Sequence, residues 1–149
     1  MKEKIINTSD RNIQFKKINF MKKFKSKYWQ VNLPDDWSSE SDEESVILFR
    51  ENGVGELQIS TTELEEEGTD ELLYSLAAEH LEAGADYDDV EFSAFKGITL
   101  DYEVDGEYCC EWYLMSGNLL VYATYACDAN AEDKEEDVAE LIMESLQIV

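Results

Sequence analysis

Few side chains in this sequence could carry covalent or acid–base chemistry. His80 is the only histidine, and the three cysteines are Cys109, Cys110 and Cys127. Any Ser-His or Cys-His dyad would have to use His80, and a multi-histidine metal site is excluded. His80 shares helical spacing with Leu72, Leu73, Leu76, Ala77 and Leu81, so it reads as a core or boundary residue on an apolar stripe. Cys109 or Cys110 would reach it only if that helix packs on the matching sheet face. Glu107 and Glu111 flank the cysteine pair and would raise a thiol pKa, which argues against an activated nucleophile.

Carboxylates are the other candidates. Asp101, Glu103, Asp105 and Gly106 copy the opening of an EF-hand loop, but position twelve, which needs a bidentate glutamate, is Trp112. Strand alternation ending in an Asp-Gly hairpin turn explains the same residues. Asp86, Asp88, Asp89 and Glu91 could hold a divalent cation weakly, and a solvated acidic loop accounts for them better. With 35 acids in 149 residues, carboxylate pairs suited to acid–base work arise by number alone. Gly53-Val54-Gly55 lacks the following helix of a phosphate-binding loop. No catalytic, cofactor-binding or metal-binding residue is assigned.

The chain suits one domain with a full core. Its charge is divided. Residues 1–27 carry nine Lys/Arg against two acids, or +7, while residues 28–149 carry three bases against 33 acids, or −30, which together make the net −23. Such a body repels nucleic acid and anionic membrane and steers cationic partners at low salt. We expect residues 1–27 to be a disordered basic leader or extension, with 1–20 mobile, and 28–149 to be a single acidic domain. Met21-Lys22-Lys23-Phe24-Lys25 looks like a bacterial start, so Met21 is a candidate initiator. The leader lacks the apolar core of a secretory signal. The longest strongly apolar run, 119–127, is nine residues, far short of a membrane span. Three cysteines without metal spacing indicate free thiols in a reducing cytoplasm.

The elements that position these residues follow from periodicity. Residues 97–127 read as a three-stranded antiparallel meander turning at Asp105-Gly106 and Gly117-Asn118. Earlier strands are expected at 28–33, ending at Pro34, and at 46–49 and 55–62, with 90–95 as an edge strand. Residues 38–45, 63–68 and 86–91 read as acidic loops. A helix capped by Thr69 or Asp70 runs to about Ala83, with Gly84 beyond its end. A second, capped by Asp128 or Asn130, runs from Ala131 to about Leu146 with Val138, Leu141, Ile142, Ser145 and Leu146 as its stripe.

Several segments resemble the PsbP-like superfamily. They are Val31-Asn32-Leu33-Pro34-Asp35-Asp36-Trp37, the strand at 46–49, the strand at 55–60 leading to the mid-chain helix, Phe95-Lys96-Gly97, and Ile142-Met143-Glu144-Ser145-Leu146. That superfamily is the α/β/α sandwich shared by a photosystem subunit, a Ran-binding nuclear-import factor and many small bacterial proteins. The resemblance implies an α+β fold in which an antiparallel sheet of about six strands is flanked by two main helices. It also implies an adaptor or accessory role rather than catalysis, and it transfers no site residue.

The expected function is a non-enzymatic, cytoplasmic, protein-binding domain. One alternative is an acidic immunity or antagonist protein that masks a basic toxin or nucleic-acid-binding partner. Another is a small-ligand or divalent-metal module. A basic protein suits the charge as partner; nucleic acid and membrane do not. The expected partner face comprises the loops 34–45 and 63–70, through Asp35, Asp36, Glu43, Glu44, Glu65, Glu66, Glu67 and a partly exposed Trp37 anchor.

Overall fold

Period-2 alternation generates most of the architecture. The computed structural model describes residues 21–43 and 45–149; the expectations placed on residues 1–20 and Glu44 lie outside the described residues. The strands are β1 (Met21–Lys25), β2 (Trp29–Pro34), β3 (Trp37–Ser41), β4 (Ser45–Arg50), β5 (Gly55–Glu63), β6 (Asp86–Phe92), β7 (Phe95–Val104), β8 (Glu107–Ser116), β9 (Leu119–Asp128) and β10 (Gln147–Ile148). The helices are α1 (Asp70–Leu76), α2 (Ala78–Glu82) and α3 (Glu132–Glu144), the last entered through a 3-10 turn.

The fold is α+β and its sheets are antiparallel. A seven-stranded sheet runs β3-β4-β5-β9-β8-β7-β6, and a three-stranded sheet runs β1-β2-β10. The main sheet thus has seven strands where about six were expected. Asp105 (φ 53°) and Gly106 (φ 81°) make the hairpin turn between β7 and β8, the left-handed pair that such turns require. At Gly97 a Cβ would collide with the Tyr113 carbonyl of β8, so only glycine lets the two strands approach there.

Both faces of the main sheet are packed. On one face, β2 supplies Trp29, Val31 and Leu33 and α3 supplies Ala139, Ile142 and Met143, joined by Leu146 just beyond the helix, against Leu48, Leu57, Trp112 and Tyr125 of the sheet. On the other face, Leu73 and Ala77 pack on Ile98, Leu100, Tyr113 and Met115. Burying this much apolar surface, at roughly 25 cal/mol per Å², is the main driving force for the fold.

Several expectations need correction. Met21–Lys25, assigned to the basic leader, is an ordered strand in full register with β2. Trp37–Ser41, taken as loop, is a strand whose only buried side chain is Trp37; pairing with β4 specifies it, since its own alternation is absent. Residues 86–91, also read as loop, form most of β6. The helix expected to reach Ala83 breaks at Ala77 (φ −91°, ψ 0°), where the fully buried methyl meets the sheet. Its stripe narrows as a result, leaving Leu76 48% exposed and His80 at the boundary. On α3 the buried face is Glu135, Ala139, Ile142 and Met143, while Val138 and Leu141 are only half-buried; Leu146, expected within the helix, is buried beyond its end at Glu144. Trp37 is not an exposed anchor: it is 2% exposed and belongs to the core.

Candidate functional site

Registers in the meander place a carboxyl where an aliphatic side chain would be expected. Leu100 lies opposite Glu111 and Tyr102 opposite Cys109 across β7 and β8, while Tyr113 faces Tyr122 across β8 and β9. All point toward α1 and α2. Glu111 is 4% exposed, and its oxygens are shared out. Tyr113 Oη donates to Oε1 at 2.6 Å and Tyr102 Oη donates to Oε2 at 2.6 Å. Both are short for O–H···O hydrogen bonds. His80 Nε2 lies 3.6 Å from Oε2 and 3.4 Å from Tyr102 Oη, with its ring stacked on Tyr102 at 4.3 Å between centroids.

His80 and Tyr102 also form one wall of an open cleft of about 560 Å³, rimmed by Glu79, Asp86, Glu103 and Val104. The surrounding groups hold their protons. Burial, then the bond to Glu111, pushes the Tyr102 and Tyr113 phenols up; burial, then Glu111, pushes Tyr122 up to about 12. Burial raises the Cys109 thiol, with Glu107 and Glu111 adding to it. The arrangement is a donor shell around a carboxyl, behind an anionic cleft. It suits binding of cationic or hydrogen-bond-donating groups better than nucleophilic attack.

The Cys-His pairing considered from sequence does not form: Cys109 shares the His80 face, opposite Tyr102, but its thiol donates to Glu107 at 3.8 Å. Cys110 lies on the opposite face, in the core with α3, where burial pushes its thiol up to about 12. Among the described residues no group of His, Cys, Asp and Glu is arranged to hold a metal ion. The reason at β6 is geometric: Asp86 and Asp88 project from one face and Asp89 from the other.

A second buried carboxyl explains Gly53-Val54-Gly55. Glu135 is 1% exposed. It accepts from Val54 N at 3.2 Å, Gly55 N at 3.1 Å, Arg50 Nε at 3.1 Å and Tyr125 Oη at 2.9 Å. Arg50 Nη2 adds a contact at 3.1 Å. A Cβ at Gly53 would strike the carboxylate, and one at Gly55 would strike Tyr125. The anion held by this glycine turn is therefore the protein's own, and it ties α3 to the start of β5.

The expected partner residues do not form one face. Asp35 and Asp36 are exposed in the β2–β3 turn, at the sheet end shared with Arg50. Glu43, Glu65, Glu66 and Glu67 are exposed at the opposite end, beyond Ser41, Ser45 and Glu63. A further set of acids lies on β6, where Asp86, Asp88, Asp89 and Glu91 are all exposed. Tyr87 (53% exposed) and Tyr74 (39%) lie beside them, edge to face at 6.4 Å.

The α+β architecture recurs among solved structures. A Bacteroides thetaiotaomicron VPI-5482 protein matches 86% of this chain with a TM-score of 0.58 and 19% identity, and the match covers 48% of that structure, so this chain spans about half its length. The solution structure of cyanobacterial PsbP (CyanoP) from Synechocystis sp. PCC 6803 covers 87% of this chain and 92% of its own, at 10% identity and a TM-score of 0.45. CyanoP belongs to the superfamily that the sequence segments resemble; at that score the likeness bears on neither architectural detail nor role. No protein-family model matches the sequence, and comparison with curated proteins returns no match.

Proposed function

We propose that this domain is a cytoplasmic protein-binding adaptor or accessory module whose anionic surface engages a basic partner. One observation carries the reading: the distribution of charge over the folded surface. Residues 21–149 carry seven bases against 33 acids. Lys22, Lys23, Lys25 and Lys27 are exposed together on β1 and the turn after it, and of the other three, Arg50, Lys96 and Lys134, Arg50 is committed to buried Glu135. Acids cover the loops and the full length of β6. A surface this acidic away from β1 speeds encounter with a cationic protein and suppresses wrong partners. Among the described residues no helix is long and apolar enough to cross a membrane.

Capture from a lysate of the source organism, washed at low and then high salt, tests this. A single stoichiometric basic protein released by salt is the expected result. A partner without excess basic charge, or one retained through the high-salt wash, would overturn the electrostatic reading. The same charge favours a second reading, an antagonist that occupies a basic functional surface. In that case the captured partner would lose nucleic-acid binding while in the complex.

A further inference from the structure

The surface of β6 narrows the protein-binding reading to a place and a mode of contact. We propose that the outer edge of β6 accepts an extended, lysine- or arginine-rich segment of a partner protein as an additional strand; the proposal rests on the protein-binding function above.

β6 is the last strand of its sheet, and among the described residues no backbone group bonds to its outer side. It pairs with β7 without interruption from Asp86 to Phe92, and it contains no proline. An edge of this length, neither covered nor broken, is a template for strand addition. The opposite edge, β3, is shorter at five residues.

Charge selects the occupant. Side chains of an added strand would alternate between two clefts, because strand side chains alternate between faces. The cleft on the helix side, about 410 Å³, is lined by Asp70, Tyr74, Asp89 and Glu91. The one on the α3 side, about 140 Å³, is lined by Asp86, Asp88, Asp101 and Glu140. Carboxylates therefore line both faces, and Lys96, opposite Glu91 and on the wall of the helix-side cleft, is the only base in the β6–β7 hairpin. Tyr74 and Tyr87 offer ring faces to the stems and heads of long cationic side chains.

The hairpin also bears a cost that such a ligand would relieve. Asp86 and Asp101 sit directly opposite each other, a destabilising like-charge pair. Burial, followed by Asp86, raises the Asp101 carboxyl. The same charges oppose pairing of two β6 edges from two copies. The edge is closed to itself and open to a basic strand.

The test uses the full chain with a fluorescent peptide of alternating lysine and threonine, and a control peptide with glutamine in place of lysine. Anisotropy at low salt is compared for the wild type, D86N/D88N/D89N and E40Q/E51Q/E56Q, which remove equal charge from the edge and from the far side of the sheet around β3, β4 and β5. Loss of three exposed carboxylates should weaken binding by the edge variant roughly tenfold while the control variant changes little. Hydrogen exchange on the wild type should show new protection in β6. Equal weakening by both variants, or binding without protection of β6, would overturn the edge proposal and leave the charge-based function standing. Absence of lysine-peptide binding to the wild type would overturn both.

Discussion

Glu135 and Glu111 are both withdrawn from water on the same sheet, yet different chemistry holds them. Glu135 has a fixed cation, two backbone amides and a phenol. Its partners lie on β4, β5 and β9, so the carboxylate binds α3 to three strands at once. Glu111 has two phenols and a histidine beyond hydrogen-bond distance, at the edge of an open cleft. The first carboxyl is compensated chiefly by a permanent cation and by backbone amides, groups that do not titrate. Of the second's partners, Tyr102 and His80 also face a space where another molecule can sit. Burial alone therefore does not distinguish a structural carboxyl from one placed near a binding surface; the nature of the donors does.

Removing each carboxyl tests that difference. Glu135→Ala strands Arg50 and two amides and should cost about 3 kcal/mol in urea unfolding, at the lower end for a broken buried pair because Arg50 is partly exposed. Glu111→Gln keeps the shape and leaves one phenol without a good acceptor, for a loss of about 1–2 kcal/mol. A larger loss at Glu111 than at Glu135 would reverse the assignment of the pin.

The smallest effect sharpens the comparison at alkaline pH. Three raised phenols surround Glu111 (Tyr102, Tyr113 and Tyr122), whereas Tyr125 alone serves Glu135. A phenol raised in the folded state keeps its proton while the unfolded chain releases one. Its contribution is thus fully present below the ordinary tyrosine value of 10.0 and is lost as pH rises toward about 12 for Tyr122. Tyr122→Phe should reduce the loss of stability near pH 11 by about 1 kcal/mol or less, allowing for solvent screening. An unchanged alkaline slope would show that Tyr122 does not sense the Glu111 carboxyl.

Much of the fold was legible because alternation and turn chemistry coincide. The meander, its Asp105-Gly106 turn, the strands at β2, β4 and β5 and the Thr69 cap, whose Oγ1 accepts from Leu72 N, follow from local pattern. What escaped has tertiary causes. β3 has one apolar residue, and its ladder to β4 imposes its conformation. The break at Ala77 has no glycine or proline to announce it. Glu111 did leave a signal: a lone acid inside Cys109-Cys110-Glu111-Trp112-Tyr113-Leu114-Met115, a run otherwise destined for burial. Glu135 is indistinguishable by composition from Glu136 and Asp137, and only its helical phase with Ala139 and Ile142 separates them. The expected partner residues were chosen as loop acids, and loop membership carries no information about which loops share an end of the sheet.

The pairing of β10 with β2 has a temporal consequence. Trp29 and Gln30 meet Ile148 and Gln147, and Val149 N donates to Tyr28 O, joining segments separated by 118 residues at the Gln30–Ile148 contact. As the chain emerges from the ribosome, β1 and β2 can pair early, but β2 must wait for α3 and β10 before its other side is satisfied. Such distant closure carries a large loop entropy and slows folding. Until then, Trp29, Val31 and Leu33 lack the α3 side chains that finally cover them, so this nascent segment is where a holding chaperone would bind.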